Sequence, residues 1–377
     1  MRVTHIFKTF APDTYGGIEH VVHTLASHTA LLGVQNKVVV LTPGKPRREA
    51  LEHYELVRYK RDLNLASTGF SLGLFRHFRR ELADTDLLHL HFPWPFADLC
   101  YLAQGAGIPA VVTYHSDVVN QVRLNKLYAP LRDRMLARVI RIVVTAPGMI
   151  ESSPVLHRWR DKIDMIPLGI ERLVSAPSDE ARAREFHERF GPRFFLFLGV
   201  LRYYKGLHTL LDALKGRDYP VVLAGDGPEL STLRLKAQQL GLHNVHFLGA
   251  VSEDDKRVLL KAAYGFVFPS HLRSEAFGLA LVEAAQQGTP MISCEIGTGT
   301  SFVNAHGETG LVVAPEQPRA LGAALDRFWN EPEQVRQWGQ HAYRRYETRF
   351  TAARMAGSYL ECYERVLANQ ARRQASA

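Results

Sequence analysis

The chain has 377 residues and a formal charge of +8, with 46% apolar and 22% charged residues. That length suits two domains with a core each, and the composition is that of an ordinary soluble enzyme, not of a disordered chain. Three scattered cysteines, Cys100, Cys294 and Cys362, exclude a disulfide framework and a cysteine-rich metal site, and fit a reducing compartment.

The first half alternates short β-rich runs with helical patterns. Strands are expected at 2–7, 37–42, 87–92, 110–115 and 141–146, and a helix over 17–32, where Ile18, Val21, Val22, Leu25 and Leu32 share a face. Lys8 interrupts the start MRVTHIFKTF, so no signal-peptide core is expected. No run approaches the roughly 20 apolar residues that span a bilayer. A cytoplasmic location follows as the expectation. Residues 120–141 mix Arg123, Lys126, Arg132, Arg134, Arg138 and Arg141 with apolar positions, as a basic amphipathic segment that Pro130 is expected to break. With HFRRE (77–81) it would form a basic rim, unless these helices simply pack on their own sheet. Residues 1–172 hold 22 Lys/Arg against 16 Asp/Glu, and the remainder 24 against 22. A basic first half suits anionic lipid, a lipid diphosphate or nucleic acid, or is only a solvated surface.

The second half repeats the style, with strands at 193–200, 220–225, 244–249, 264–270 and 291–295. Helices are expected at 206–214, 227–241, 253–263, 279–287 and 317–330. Residues 171–190 read as a connection followed by a short helix. The expected organisation is one domain at 1–172, a second at 173–350, and a helical segment at 351–377 that packs back on the first. Strands alternating with helices predict α/β, doubly wound parallel sheets. Ligands of such sheets bind outside the carboxyl ends of the strands.

The densest chemistry lies in SEAFGLALVEA (274–284). Glu275 precedes a helix and Glu283 lies about one turn into it. Phe277, Gly278 and Leu279 bring unpaired N–H groups to the helix start, a ready anion site. Two carboxylates beside an anion make sense if they face hydroxyls. A nucleotide sugar offers both features; a capped helix with an exposed glutamate is the plain alternative. Arg202 and Lys205 follow the strand FLFLGV and could neutralise a leaving diphosphate. The pair Gly16-Gly17 permits a tight turn and close approach of a phosphate or sugar. His115 follows the strand AVVTY and could bond a sugar hydroxyl. His89 and His91 alternate on their strand and could share a side, but no ligand set accompanies them, so no metal site is expected. The turn GDGPEL (225–230) reads as scaffold, with Pro228 in the first helical turn. GTGTS (297–301) is a further glycine loop.

Taken together, TYGGIEHVV (14–22), TYHSD (113–117), FLGVLRYYKG (197–206), AGDGPEL (224–230), NVHFLGAV (244–251), SEAFGLALVEA and TGLVV (309–313) resemble glycosyltransferase family 4. That family is retaining and has the GT-B fold, two Rossmann-like domains facing a cleft. The resemblance implies that Glu275 contacts the transferred hexose and Glu283 the ribose hydroxyls of the donor. It places the N–H groups of Phe277, Gly278 and Leu279, and the Gly16-Gly17 loop, against sugar and diphosphate. His115, Lys205 and Arg202 would complete the catalytic set. Arg202 departs from the family spacing, which has Arg directly after the strand's Gly; here Val200 follows Gly199. Backbone around Phe247–Val251 would meet the base, and His91 and Trp94 would line the acceptor side. No metal and no cofactor are implied.

FKTFAPDTYGGIEHV, LHLHFPWPFADL, VVTYHSD, GVLRYYKGLHTLLDAL and CEIGTGTSFVN are similar to bacterial mannosyl- and D-rhamnosyl-transferases of lipopolysaccharide O-chain assembly. That similarity implies a GDP-mannose or GDP-D-rhamnose donor and an undecaprenyl-diphosphate-linked saccharide acceptor. It also implies a peripheral seat on the anionic inner membrane, and no nucleic acid partner. A sugar-nucleotide epimerase on the same fold and a non-catalytic nucleotide-sugar-binding protein remain the alternatives.

Overall fold

A computed structural model of the chain describes residues 1–65, 68–117 and 122–375, apart from the side chains of 122–125 and 373–375. Its contacts divide the chain into two units, Met1–Glu171 with Ala352–Ala377, and Arg172–Thr351.

The first unit is built on an eight-stranded sheet. Its members are β1 (Arg2–Ile6), β2 (Gln35–Thr42), β3 (Arg47–Ala50), β4 (Tyr54–Lys60), β7 (Leu87–Phe92), β8 (Ala110–Tyr114), β9 (Arg141–Val144) and β10 (Ile163–Met165). The order is β10-β9-β8-β7-β1-β2-β4-β3. All neighbours are parallel except β3 against β4. A small antiparallel pair, β5 (Leu63–Leu65) and β6 (Thr68–Phe70), stands apart. Strands β7 and β8 are buried at every position, as expected where helices cover both faces. The helix Ala352–Ala375 packs on the helix Gly17–Ala30.

The second unit carries β11 (Phe195–Leu198), β12 (Val221–Ala224), β13 (Val245–Gly249), β14 (Gly265–Phe268), β15 (Met291–Cys294) and β16 (Gly310–Val313). All are parallel, in the order β13-β12-β11-β14-β15-β16. The chain winds outward from β11 to β13, then restarts beside β11 with β14. Each unit is therefore a Rossmann-like α/β fold, and the reversal between β11 and β14 is where such sheets take ligands.

Several local expectations need correction. Strands β3 and β4 lie where none was expected, because RREA and YELVRYK are too polar for a buried-strand pattern. The helix Pro332–Arg349 was also missed, since its apolar positions are diluted by charge. Pro130 does not break its helix, which runs Val122–Arg138. Proline removes one backbone donor, and the helix, packed on the helix Pro95–Gln104, continues through it. Pro228 lies before the helix Leu230–Gln239 rather than in its first turn.

Candidate functional site

The two loops at the reversal in the second unit bring Lys205 and Glu275 together. Lys205 closes the short 3₁₀ turn Tyr203–Lys205 after β11, and Glu275 lies in the loop after β14. Lys205 Nζ donates to Glu275 Oε2 at 2.5 Å, with only 11% and 12% of the side chains exposed. The ammonium also lies 4.5 Å from the centre of the Phe268 ring, and Ser270 Oγ donates to the same carboxylate oxygen at 3.4 Å. The loops are stitched by the His271 N–H, which donates to the Tyr204 carbonyl at 3.0 Å. Gly206 makes this closeness possible: its φ is 71°, and a Cβ there would stand 2.0 Å from the Pro269 carbonyl oxygen. A half-broken pair at such a site leaves an uncompensated charge, so the two residues act as one group.

The helix Leu279–Gln286 begins immediately beyond. Its N-cap is Gly278, in the left-handed region with φ 84°, and no side chain caps it. The N–H groups of Phe277, Gly278 and Leu279 donate to none of the described residues. They are the orphan donors of a helix start and present partial positive charge. The Phe277 side chain is buried near Phe350, so that residue offers only its backbone. Glu283 sits on the fifth residue of the helix and accepts from Lys256 Nζ at 2.5 Å. Burial pushes the Glu283 carboxyl above its ordinary range, with Lys256 opposing the shift.

Flanking turns brace this arrangement. The Leu201 N–H donates to the Asp226 carbonyl at 2.9 Å and the Glu229 N–H to the Leu201 carbonyl at 3.1 Å, so GDGPEL supports the loop that carries Arg202 and Lys205. In GTGTS the Gly299 N–H donates to the Ala276 carbonyl at 2.9 Å. Arg202 is exposed and has no ion-pair partner among the described residues. Phe247 and Val251 are half-buried at the end of β13, with the Arg234 guanidinium 5.7 Å from the Phe247 ring. A cavity of about 830 Å³ elsewhere in this unit, bordered by Arg172, His187, Gln287 and Tyr343, contains none of these residues.

In the first unit Gly16 caps the helix Gly17–Ala30 with extended backbone, φ −149°. Its glycine character therefore serves space rather than conformation: a Cβ would lie 2.5 Å from Glu19 Oε2. Glu19 accepts from Thr9 Oγ1 at 2.8 Å and Thr14 Oγ1 at 2.7 Å. The buried Arg58 donates to the Ala11 carbonyl and to Asp13. These contacts tie down the loop before the glycine pair.

His115 is 3% exposed and lies just past β8. Its Nε2 is 3.0 Å from His91 Nδ1, and His91 Nε2 is 3.2 Å from His5 Nδ1. Burial pushes His115 down to about 3 and His5 to about 4, and His91 and His89 well below the ordinary range. His91 and Trp94, expected on the acceptor side, are both buried side chains in this unit. His91 is 2% and Trp94 1% exposed, and the Trp94 indole donates to the Gly69 carbonyl at 3.0 Å.

Among the described residues, two groups have the residue types of a metal site. In the first, His5, His89 and His91 offer ring nitrogens within 4.8 Å of one another. All six nitrogens have hydrogen-bond partners, His89 bonding Tyr363 and Thr113 at 2.7 Å each. In the second, His208, His271 and Glu316, His271 Nε2 stands 4.0 Å from Glu316. That is wider than the roughly 3.3 Å edge of a tetrahedral zinc site with bonds of about 2.0 Å.

The basic rim is smaller than expected. Arg132 pairs with Asp133, Arg138 donates to the Leu102 carbonyl, and Arg141 pairs with Asp164. Lys126, Arg134, Arg76, Arg79 and Arg80 are exposed. Residues 120–121 and the Arg123 side chain lie outside the described residues. Lys256, Ser270, His5 and Asn36 were missed. Only His5 left a signal, as a third histidine on an apolar strand that could neighbour HLH.

Residues 15–172 match the family described as Glycosyltransferase Family 4, and residues 179–345 that described as Glycosyl transferases group 1. The chain is 49% identical over 353 residues to D-rhamnosyltransferase WbpZ of Pseudomonas aeruginosa, covering 93% of each. It is 44% identical over 368 residues to O-antigen chain mannosyltransferase C of Escherichia coli, covering 97% of this chain and 99% of the other. Among solved structures, Anabaena Alr3699/HepE in complex with UDP superposes with a TM-score of 0.78 at 17% identity, over 97% of this chain and 100% of that one. WaaG, a glycosyltransferase of lipopolysaccharide biosynthesis, gives 0.70 at 16% identity, over 94% and 98%.

Proposed function

The chain belongs to the family 4 glycosyltransferases, with the GT-B fold, and on that premise we propose that it moves a mannosyl or D-rhamnosyl residue from a GDP-sugar to a lipid-linked saccharide in O-antigen synthesis. The observation that carries this reading is the largely shielded Lys205–Glu275 pair beside an uncapped helix start, at the strand reversal of the second unit. Its parts match the parts of the donor. The orphan N–H groups of residues 277–279 meet the diphosphate. Lys205, with Arg202, offsets the charge that develops on the departing GDP. Glu275 accepts from a hexose hydroxyl, and Glu283 exchanges its bond with Lys256 for the ribose hydroxyls. Backbone around Phe247–Val251 takes the base.

Transfer proceeds with retention, without a bound metal or cofactor, since Lys205 and the helix start supply positive charge where a metal would otherwise act. The leaving phosphate takes the proton of the attacking hydroxyl. His115 meets the hexose, and the Gly16-Gly17 loop approaches the donor. The acceptor is an undecaprenyl-diphosphate-linked saccharide. The exposed Lys126, Arg134, Arg76, Arg79 and Arg80 support a peripheral seat on the anionic inner face of the membrane. Among the described residues no helix is long and apolar enough to cross a membrane.

The test is incubation of the purified protein with GDP-mannose, GDP-D-rhamnose or UDP-glucose and a lipid-diphosphate saccharide, with and without chelator. Acceptor extension with GDP release, unaffected by chelator, is expected. Isomerised free nucleotide sugar would replace this reading with an epimerase. Binding without turnover would replace it with a carrier.

A further inference from the structure

Four polar side chains form a row across one face of the first unit's sheet: Asn36 on β2, His5 on β1, His91 on β7 and His115 past β8. Adjacent strands make the row possible, since β1 lies between β2 and β7 with His5 in register with His89. The row is closed to solvent, with Asn36 6% exposed and His5 fully buried. A buried polar group without a partner costs about 1–3 kcal/mol, so every donor here must find an acceptor.

That requirement fixes the direction of each bond. Asn36 Nδ2 donates to the Ala26 carbonyl at 2.8 Å and to Thr29 Oγ1 at 2.9 Å. A carbonyl only accepts, and the Thr29 hydroxyl already donates to the Leu25 carbonyl at 2.7 Å. The amide therefore cannot be flipped, and Asn36 Oδ1 faces His5 Nε2 at 3.3 Å. An amide oxygen only accepts, so the His5 proton sits on Nε2. A neutral imidazole has one N–H, so His5 Nδ1 accepts from His91 Nε2. His91 Nδ1 in turn accepts from His115 Nε2. The neutral form of each ring follows from burial, which holds all three below their ordinary range. His89 stacks on His91 with ring centres 4.2 Å apart, but its nitrogens bond Tyr363 and Thr113, so it leaves the direction of the row unchanged.

We propose that Asn36 is a positioning residue that acts through His5 and His91 to hold His115 as the Nε2–H tautomer, leaving His115 Nδ1 as a pure hydrogen-bond acceptor. Nδ1 has no hydrogen-bond partner among the described residues, so it is the one nitrogen of the row left for a ligand. The functional consequence rests on the reading that His115 meets the transferred hexose. A hydroxyl must then donate to His115, while a phosphate or carbonyl oxygen placed there finds a lone pair. The row thus carries information from a buried amide to the site: it selects a hydrogen-bond donor and keeps phosphate oxygens away from this nitrogen.

Nitrogen NMR on full-length protein carrying ¹⁵N-histidine reads the tautomer directly, with a His115→Gln spectrum assigning the His115 signals. In the donor-free protein at neutral pH, His115 is expected to show a pyridine-like Nδ1 and a pyrrole-like Nε2. His91→Gln keeps a carbonyl acceptor for His115 and should preserve that pattern. His91→Phe and Asn36→Leu should convert it to a mixture. A pyrrole-like Nδ1 in the wild-type protein, or an unchanged His115 pattern in folded Asn36→Leu, overturns the proposal. Should the variants fail to fold, the wild-type spectrum alone still decides whether the tautomer is the one assigned. Because no donor is present, this outcome is independent of whether His115 meets a hexose, which the transfer assay decides.

Discussion

Lys205 Nζ and Glu275 Oε2 stand 2.5 Å apart across the point where the strand order of the second unit reverses. Neither charge is far from the other's field, and little solvent screens them. Removing either partner therefore perturbs the other. Lys205→Met and Glu275→Gln are each expected to lower kcat by about 10²–10³-fold, the usual cost of losing a group that stabilises developing charge. The double variant should lose much less than the product of the two. Strict additivity in a double-mutant cycle would show that the pair does not act as a unit.

Glu283 gives a different kinetic signature. Its proposed partner is the ribose, which does not change in the reaction. Glu283→Ala is expected to raise the donor KM by about 10–100-fold with a smaller effect on kcat, in line with about 1.5–3 kcal/mol for bonds to a charged group. Calorimetric titration with GDP should show the same loss. Unchanged GDP affinity would remove Glu283 from the donor site.

Acid should weaken the first unit. His5, His89, His91 and His115 have folded-state pKa values below their ordinary value near 6.5, with His5 at about 4 and His115 at about 3. Below pH 6.5 the unfolded chain binds protons that the native row refuses. The stability these rings contribute is complete above pH 6.5 and is lost as pH falls toward 4, by up to about 1.4 kcal/mol per pH unit for each. Urea midpoints measured between pH 7.5 and 4.5 should fall steeply, and His89→Gln should make the slope shallower by one proton. A flat profile would contradict neutral burial.

Asp98 works in the opposite direction. Burial pushes its carboxyl up to about 7, despite a bond donated by Tyr128. Its native pKa lies above the unfolded value, so its destabilising effect is absent below about pH 4 and grows as pH rises through 7. At alkaline pH it reaches an upper bound of about 4 kcal/mol. Asp98→Asn keeps an acceptor for Tyr128 and removes the charge. The variant should be more stable than wild type at pH 8 and similar to it at pH 4, read from the same urea midpoints.

The strand runs and the glutamate motif were legible because their signals are local. FLFL and VVLA are continuous apolar runs, and Glu275, Gly278 and Glu283 lie within nine residues of one another. The contacts that complete the site are not local. Lys256 is 27 positions from Glu283, and no spacing rule links them. Asn36 and His5 reach His115 only through the pairing of β2, β1, β7 and β8, which depends on strand order rather than on sequence neighbours. For the same reason the burial of His91 and Trp94 could not be read from the sequence. Strand β4 was hidden because Arg58 breaks its apolar run, although the fold buries that side chain against Asp13 and Glu49.

The most direct test of the Lys205–Glu275 site compares wild type with Glu275→Gln in a transfer assay with GDP-mannose and GDP-D-rhamnose, alongside a GDP titration of both proteins. Wild type should extend a lipid-diphosphate saccharide with one of these donors. Glu275→Gln should still bind GDP but transfer at least about 10²-fold more slowly. Equal transfer rates in the two proteins would contradict the account.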